Sequence, residues 1–125
     1  FHIVIVNVCS MKFERFEDII AWQKAKTLTL RIYILFKDLR DFGFRDQICR
    51  ASVSVVNNIA EGFERKSDSE FKHFLFIAKG SCGEVRSMLY IAMELNFISK
   101  DDSSDLCKLS TEISKMISGL IKTLK

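Results

Sequence analysis

"DQICRASVSVVNNIAEGFER", residues 46 to 65, divides into two sectors when projected as a helix at about 100° per residue. Ile48, Cys49, Ala51, Ser52, Val53, Val55, Val56, Ile59, Ala60, Gly62 and Phe63 cover an apolar arc of roughly 200°. Asp46, Gln47, Arg50, Ser54, Asn57, Asn58, Glu61, Glu64 and Arg65 form the polar strip opposite. Asn57 and Glu61 lie one turn apart on that strip, in line with Arg50 and Arg65. Glu61 and Arg65 stand in the favourable i,i+4 order, which contributes only a few tenths of a kcal/mol when exposed. Gly62 falls inside the apolar arc, where it costs about 1 kcal/mol of helix stability relative to Ala. Close approach of another backbone is the natural reason to keep it.

The flanking sequence carries three more helical periods. From Phe13 to Asp41, Trp22, Ala25, Thr29, Ile32 and Phe36 recur at spacings of three and four, widened by Ile19, Leu28, Leu35 and Leu39. Leu30 and Ile34 extend the apolar surface beyond what one core needs. Gly43 suits a C′ position, and the second helix is expected to start near Phe44. "SDSE" places Ser67 as N-cap and Glu70 at N3, a capping box that opens the third helix. Its stripe is Phe71, Phe74, Leu75, Ala78, Cys82, Val85, Leu89, Ala92 and Asn96, running to about Phe97. "SKDDSSD" supplies a polar turn and cap residues. The fourth helix then carries Leu106, Leu109, Ile113, Met116, Leu120 and Leu124 at near-heptad spacing. Four helices with short links predict an all-α, up-down-up-down antiparallel four-helix bundle.

The chain has 125 residues, 48% hydrophobic and 28% charged, with no proline and five glycines. That is one domain with little turn chemistry for many short strands. "FHIVIVNVCS" does not match the helical pattern that follows it. Residues 1–10 therefore read as an N-terminal extension outside the fold, and 11–125 as the bundle domain. They lack the basic n-region and cleavage site of a secretory signal and are too short to span a bilayer. Cys9, Cys49, Cys82 and Cys107 are widely spaced, with no CxxC and no nearby His. They read as small core thiols in a reducing, cytoplasmic setting, not as a zinc site or a disulfide framework.

Catalytic chemistry is sparse. There is no ExxH for a di-iron site, no P-loop and no GxGxxG, and Gly80-Ser-Cys-Gly83 sits in mid-helix without a preceding strand. Ser69-Glu-Phe-Lys72 matches S-x-x-K but lies in the first turn of a capped helix. Asn57, Asn58 and Glu61 have no nucleophile near them in sequence. No enzyme, metal or cofactor is expected. Gly80, Gly83 and Ser87 cluster with Phe76 on the face of the third helix away from its core stripe, where small residues admit another helix.

Three segments together resemble the 23S rRNA intervening-sequence (S23) protein family. They are the F-x-D-x-x-x-W-Q-x-A opening at Phe16 to Ala25, the Q-I-x-R-A-x-x-S-x-x-x-N-I-A-E-G core at Gln47 to Gly62, and F-x-x-F-L-x-I-A-x-G-S at Phe71 to Ser81. The motif positions are Trp22, Gln23, Gln47, Arg50, Ala51, Ser54, Asn58, Glu61, Gly62, Phe71, Phe74 and Gly80. Two departures stand out. The link between the first two helices lacks the proline often found there, and position 50 is a single Arg where many members have two basic residues. The resemblance implies a four-helix bundle in a closed homopentameric ring, as in the related accessory variability protein of diversity-generating retroelements. That relative binds nucleic acid through a basic surface.

The expected function is a non-enzymatic homo-oligomer that binds structured RNA or a nucleic-acid-processing protein partner, with no membrane role. The alternative is a scaffold without nucleic-acid affinity, which the modest net charge of +3 leaves open. Arg45, Arg50, Arg65, Lys66 and Lys72, around the junction of the second and third helices, are the candidate nucleic-acid contacts. Trp22, Gln23, Gln47, Ser54, Asn57, Asn58, Glu61, Gly62, Gly80 and Gly83 are the candidates for helix register or subunit contact.

Overall fold

A computed structural model describes residues 4–6 and 11–125 of the chain. Strand β1 (Val4–Val6) pairs antiparallel with β2 (Met11–Phe13), Val4 opposite Phe13. A 3-10 turn, Phe16–Asp18, leads into α1 (Ile20–Phe36), followed by α2 (Phe42–Phe63), α3 (Asp68–Glu94) and α4 (Lys100–Thr123). Each helix packs on the one before and after it in sequence, and α4 closes back on α1. This is the all-α up-down-up-down bundle, with α1 and α3 at opposite corners. The rest of the N-terminal extension, His2 and Cys9 included, lies outside the described residues.

The helix ends show where local chemistry overrode the apolar pattern. α1 starts later than Phe13, because Ile19 is extended and the preceding segment is a 3-10 turn. Gly43 is no C′ residue: no glycine has positive φ. α2 begins at Phe42 instead, because the Asp41 carboxylate accepts from the Phe44 N–H at 3.1 Å and satisfies an orphan donor. Ser67 caps α3 as expected, accepting from the Glu70 N–H at 3.1 Å. That helix stops short of Phe97 in a Schellman motif. Asn96 turns to φ 60, its N–H reaches the Met93 carbonyl, and the Phe97 N–H reaches that of Ala92 at 2.8 Å. Asn96 is thus a stop signal and not a core position.

The α3 core stripe is otherwise the one expected, with Phe71, Leu75, Ala78, Cys82, Val85, Leu89 and Ala92 all buried and Phe74 half-buried. α1 is rotated slightly from its expected seam. Ala21, Ala25, Leu28, Ile32 and Phe36 are buried, while Trp22 and Thr29 are half-buried. The Thr29 hydroxyl sits between the carbonyls of Ala25 and Ser52, both at 3.0 Å, which suits a helix edge. In α4 the seam runs through Ser103, Leu106, Ser110, Ile113, Ile117 and Leu120, with Leu109 and Met116 only half-buried. The buried serines hold the α3–α4 contact. Ser103 donates to the Leu89 carbonyl at 3.2 Å and Ser110 to that of Cys82 at 3.0 Å. A small hydroxyl that finds an acceptor costs little in a core and lets two helices come near.

Candidate functional site

The polar strip of α2 divides by what each side chain can reach. On the edge toward α3, the Ser54 and Ser81 hydroxyls are 2.7 Å apart, and the Asn58 amide donates to the Ser54 carbonyl and hydroxyl at 2.7 and 3.0 Å. Toward the start of α2, Gln47 donates to the Glu84 carboxylate on α3 and accepts from Arg50 at 3.3 Å. Both networks tie α2 to α3 at a defined register. Glu61 pairs with Arg65 at 2.8 Å, and Asn57 is exposed. Gly62 lies at a tight approach of α2 to α3: a Cβ there would stand 2.7 Å from the Phe74 Cβ.

At the start of α1, the Gln23 amide donates to the Glu17 carbonyl at 2.8 Å and fastens the 3-10 turn to the helix. Trp22 meets Phe16 edge-on at 5.1 Å between centroids, with the Lys26 ammonium 5.6 Å from its ring. Gly80 and Gly83 face outward on α3 with open space around them.

The five candidate cations do not form one cluster. Arg45 stands in the first turn of α2 and Arg65 just past its last residue, so the length of the helix, about 30 Å, lies between them. Arg65, Lys66 and Lys72 sit at the α2–α3 turn. There Arg65 is engaged by Glu61 and lies 4.8 Å over the Phe74 ring, and the Lys72 ammonium reaches the Lys125 carbonyl at 3.5 Å. Arg45 and Arg50 stand at the other end, in a cleft of about 450 Å³ between α1 and α2 that Tyr33, Lys37, Asp46 and Cys49 complete. Arg45 is 4.7 Å over the Phe42 ring and 3.4 Å from the Asp46 carboxylate. Lys37 and Tyr33 carried no signal in the sequence, because only the turn between α1 and α2 brings them beside Arg45 and Arg50. A second groove of about 900 Å³ runs along α4, where Lys100, Lys108 and Lys115 are joined by Tyr90 from α3 and by Glu112.

Neither cleft contains Asn57, Asn58 or Glu61. Among the described residues no group of His, Cys, Asp and Glu could hold a metal ion, and no described helix is long and apolar enough to cross a membrane. Cys49, Cys82 and Cys107 are buried free thiols. Burial pushes the Cys49 thiol up, with Arg45 opposing and Asp46 adding to the effect. Burial likewise carries the Cys82 thiol to about 11, against the pull of Ser110, Arg86 and Lys79.

A thiolate is the reactive form, so Cys82 should resist iodoacetamide at pH 8 in the folded protein and react on unfolding. The raised pKa also has a sign for stability. The contribution of neutral Cys82 is complete below the ordinary thiol value of 9.0 and is lost as pH rises toward 11. Denaturant melts should therefore show the native chain losing more stability between pH 8 and 11 than Cys82→Ala does.

Comparisons with known proteins agree with the four-helix fold. The 23S rRNA-intervening sequence protein family matches residues 17–119. A search of the curated proteins finds no match. Among solved structures, the chain is similar to a protein of unknown function from the S23 ribosomal protein family of Bacteroides thetaiotaomicron VPI-5482. The two are 26% identical with a TM-score of 0.77, over 82% of this chain and 99% of that one. The matched segment runs from the 3-10 turn to the last turns of α4 and so takes in all four packed helices. The chain belongs to the 23S rRNA-intervening sequence protein family.

Proposed function

We propose that this chain is a non-enzymatic homo-oligomer, pentameric as the family resemblance implies, that binds structured RNA, free or within a ribonucleoprotein, through the α1–α2 cleft. The observation that carries the RNA reading is the convergence of Lys37, Arg45 and Arg50 with Tyr33 on one concave surface. Cations at that spacing neutralise backbone phosphates, and an aromatic ring beside them gives an unpaired base something to stack on. Asp46 tempers the positive field, so moderate affinity is expected. Exposed apolar side chains on α1 and α3 support the oligomer.

The test is a fluorescence-anisotropy titration of a structured ribosomal RNA fragment between about 50 and 200 mM salt. Binding should weaken steeply with salt. Replacing Lys37, Arg45 and Arg50 together by Gln should flatten the slope of log affinity against log salt by about one for each cation that no longer meets a phosphate. Changing Lys108 and Lys115 on the α4 groove should leave binding intact. No binding at low salt by a correctly assembled protein removes the RNA reading and leaves the scaffold.

A further inference from the structure

Gly62 is explained within its own chain, whereas Gly80 and Gly83 are not. A Cβ at either meets nothing within 4 Å. Each nonetheless lowers helix stability by about 1 kcal/mol relative to Ala. Both lie on the outward face of α3 with Ser87, flanked by Phe76, 55% exposed, and Tyr90, 56% exposed, with Ile77 and Ile91 beside them. Glu84, which also accepts from Gln47, and Glu94 place exposed carboxylates on that face, and Lys72 at its edge is turned to the Lys125 carbonyl at 3.5 Å. Lys79 is turned toward α4, where its ammonium donates to the Ser114 hydroxyl at 3.2 Å.

The opposite corner of the bundle presents the converse surface. On α1, Leu30 is 55% and Ile34 67% exposed, with Ile20 and Tyr33 at the edges. Lys26 and Arg31 flank Leu30, and Ile20–Phe36 contains Lys24, Lys26 and Arg31 but no carboxylate. One face is therefore bulky, apolar and cationic. The other is apolar and anionic, with a trough of small residues between aromatic walls. Being at opposite corners, they cannot meet within one chain.

We infer that the outward face of α1 of one copy docks on the outward face of α3 of the next, with Leu30 and Ile34 over Gly80 and Gly83. Lys26 and Arg31 then approach Glu84 and Glu94. Such a contact is heterologous: each copy offers one face and receives the other, so the assembly either closes into a ring or grows without limit. This assignment rests on the oligomer proposed above and specifies its seam.

Two variants test it by light scattering and circular dichroism. Leu30→Glu with Ile34→Glu spoils the α1 face, and Gly80→Leu with Gly83→Leu fills the α3 trough. All four changes point away from the core, and the second pair improves helix propensity. Each variant alone should be a folded monomer. Mixed in equal amounts they should form a dimer and nothing larger, because one retains its α3 face and the other its α1 face. A single variant that keeps the wild-type mass, or remains a dimer alone, overturns the pairing, as does a mixture of folded monomers that stays monomeric.

Charge exchange gives a gentler check. Lys26→Glu with Arg31→Glu should weaken assembly, and adding Glu84→Lys with Glu94→Lys in the same chain should restore it. Absence of restoration counts against the pairing. A wild-type chain that is monomeric at micromolar concentration removes the oligomer itself. A wild-type oligomer whose face variants assemble normally removes only this seam.

Discussion

Phe71→Ala should lower the free energy of unfolding by about 3–5 kcal/mol, the cost of emptying a site of that size in a packed core. Phe71 is completely buried in the first turn of α3, and its ring meets Phe63 of α2 edge-on at 5.8 Å between centroids. It thus closes the end of the bundle where α2 turns into α3. The backbone there is already held by the Ser67 cap, so α3 should still form and the void should stay partly unfilled. Denaturant melts at one fixed protomer concentration should show a lower midpoint with an unchanged slope, the mark of reduced stability without a changed denatured state. Phe76→Ala, on the outward face of the same helix, should leave the stability of the isolated protomer within about 0.5 kcal/mol of the starting value. A loss below about 1 kcal/mol for Phe71→Ala would mean that this end of the bundle is loosely packed.

What the sequence discloses here depends on whether a residue's role is local or shared between helices. The Ser67 cap needs only Glu70 three positions on, and the α3 stripe needs only its own period, so both are legible. Gly62 is legible in kind: its cost inside an apolar arc demands a close neighbour, although Phe74 as that neighbour appears only in the fold. Ser103 and Ser110 are not legible, because a serine looks polar until a carbonyl on α3 is found to accept from it. The cations mislead for a similar reason. Residues 45 to 72 are close in sequence, but a straight helix of 22 residues carries its ends apart, and the turn before it brings Lys37 to Arg45. Asn58, expected to fix register, does reach α3 through Ser54, whereas Glu61, with the same expectation, pairs with Arg65 just past the end of its own helix.

Gly62→Ala should destabilise the bundle by up to about 2 kcal/mol, although the same change in an open helix would add about 1 kcal/mol. The new methyl would lie 2.7 Å from the Phe74 Cβ, 3.0 Å from the Phe71 Cδ1 and 3.3 Å from the Phe71 carbonyl oxygen. A ring edge can swing aside, but a Cβ and a carbonyl are fixed to the backbone, so α3 as a whole must move away from α2. That movement would also pull at the Ser54–Ser81 contact two turns earlier in α2. Overpacking of this kind typically costs about 1–3 kcal/mol, which outweighs the gain in helix propensity. Gly119→Ala is the matched control, since its Cβ would enter open space in the last turns of α4 and should be neutral or slightly stabilising. Combining Gly62→Ala with Phe71→Ala separates the two obstacles. Shortening Phe71 relieves only the ring contact, so the double variant should remain less stable than Phe71→Ala alone. If Gly62→Ala instead costs nothing once Phe71 is shortened, the Phe71 ring sets the approach of α2 to α3 and the Phe74 Cβ does not.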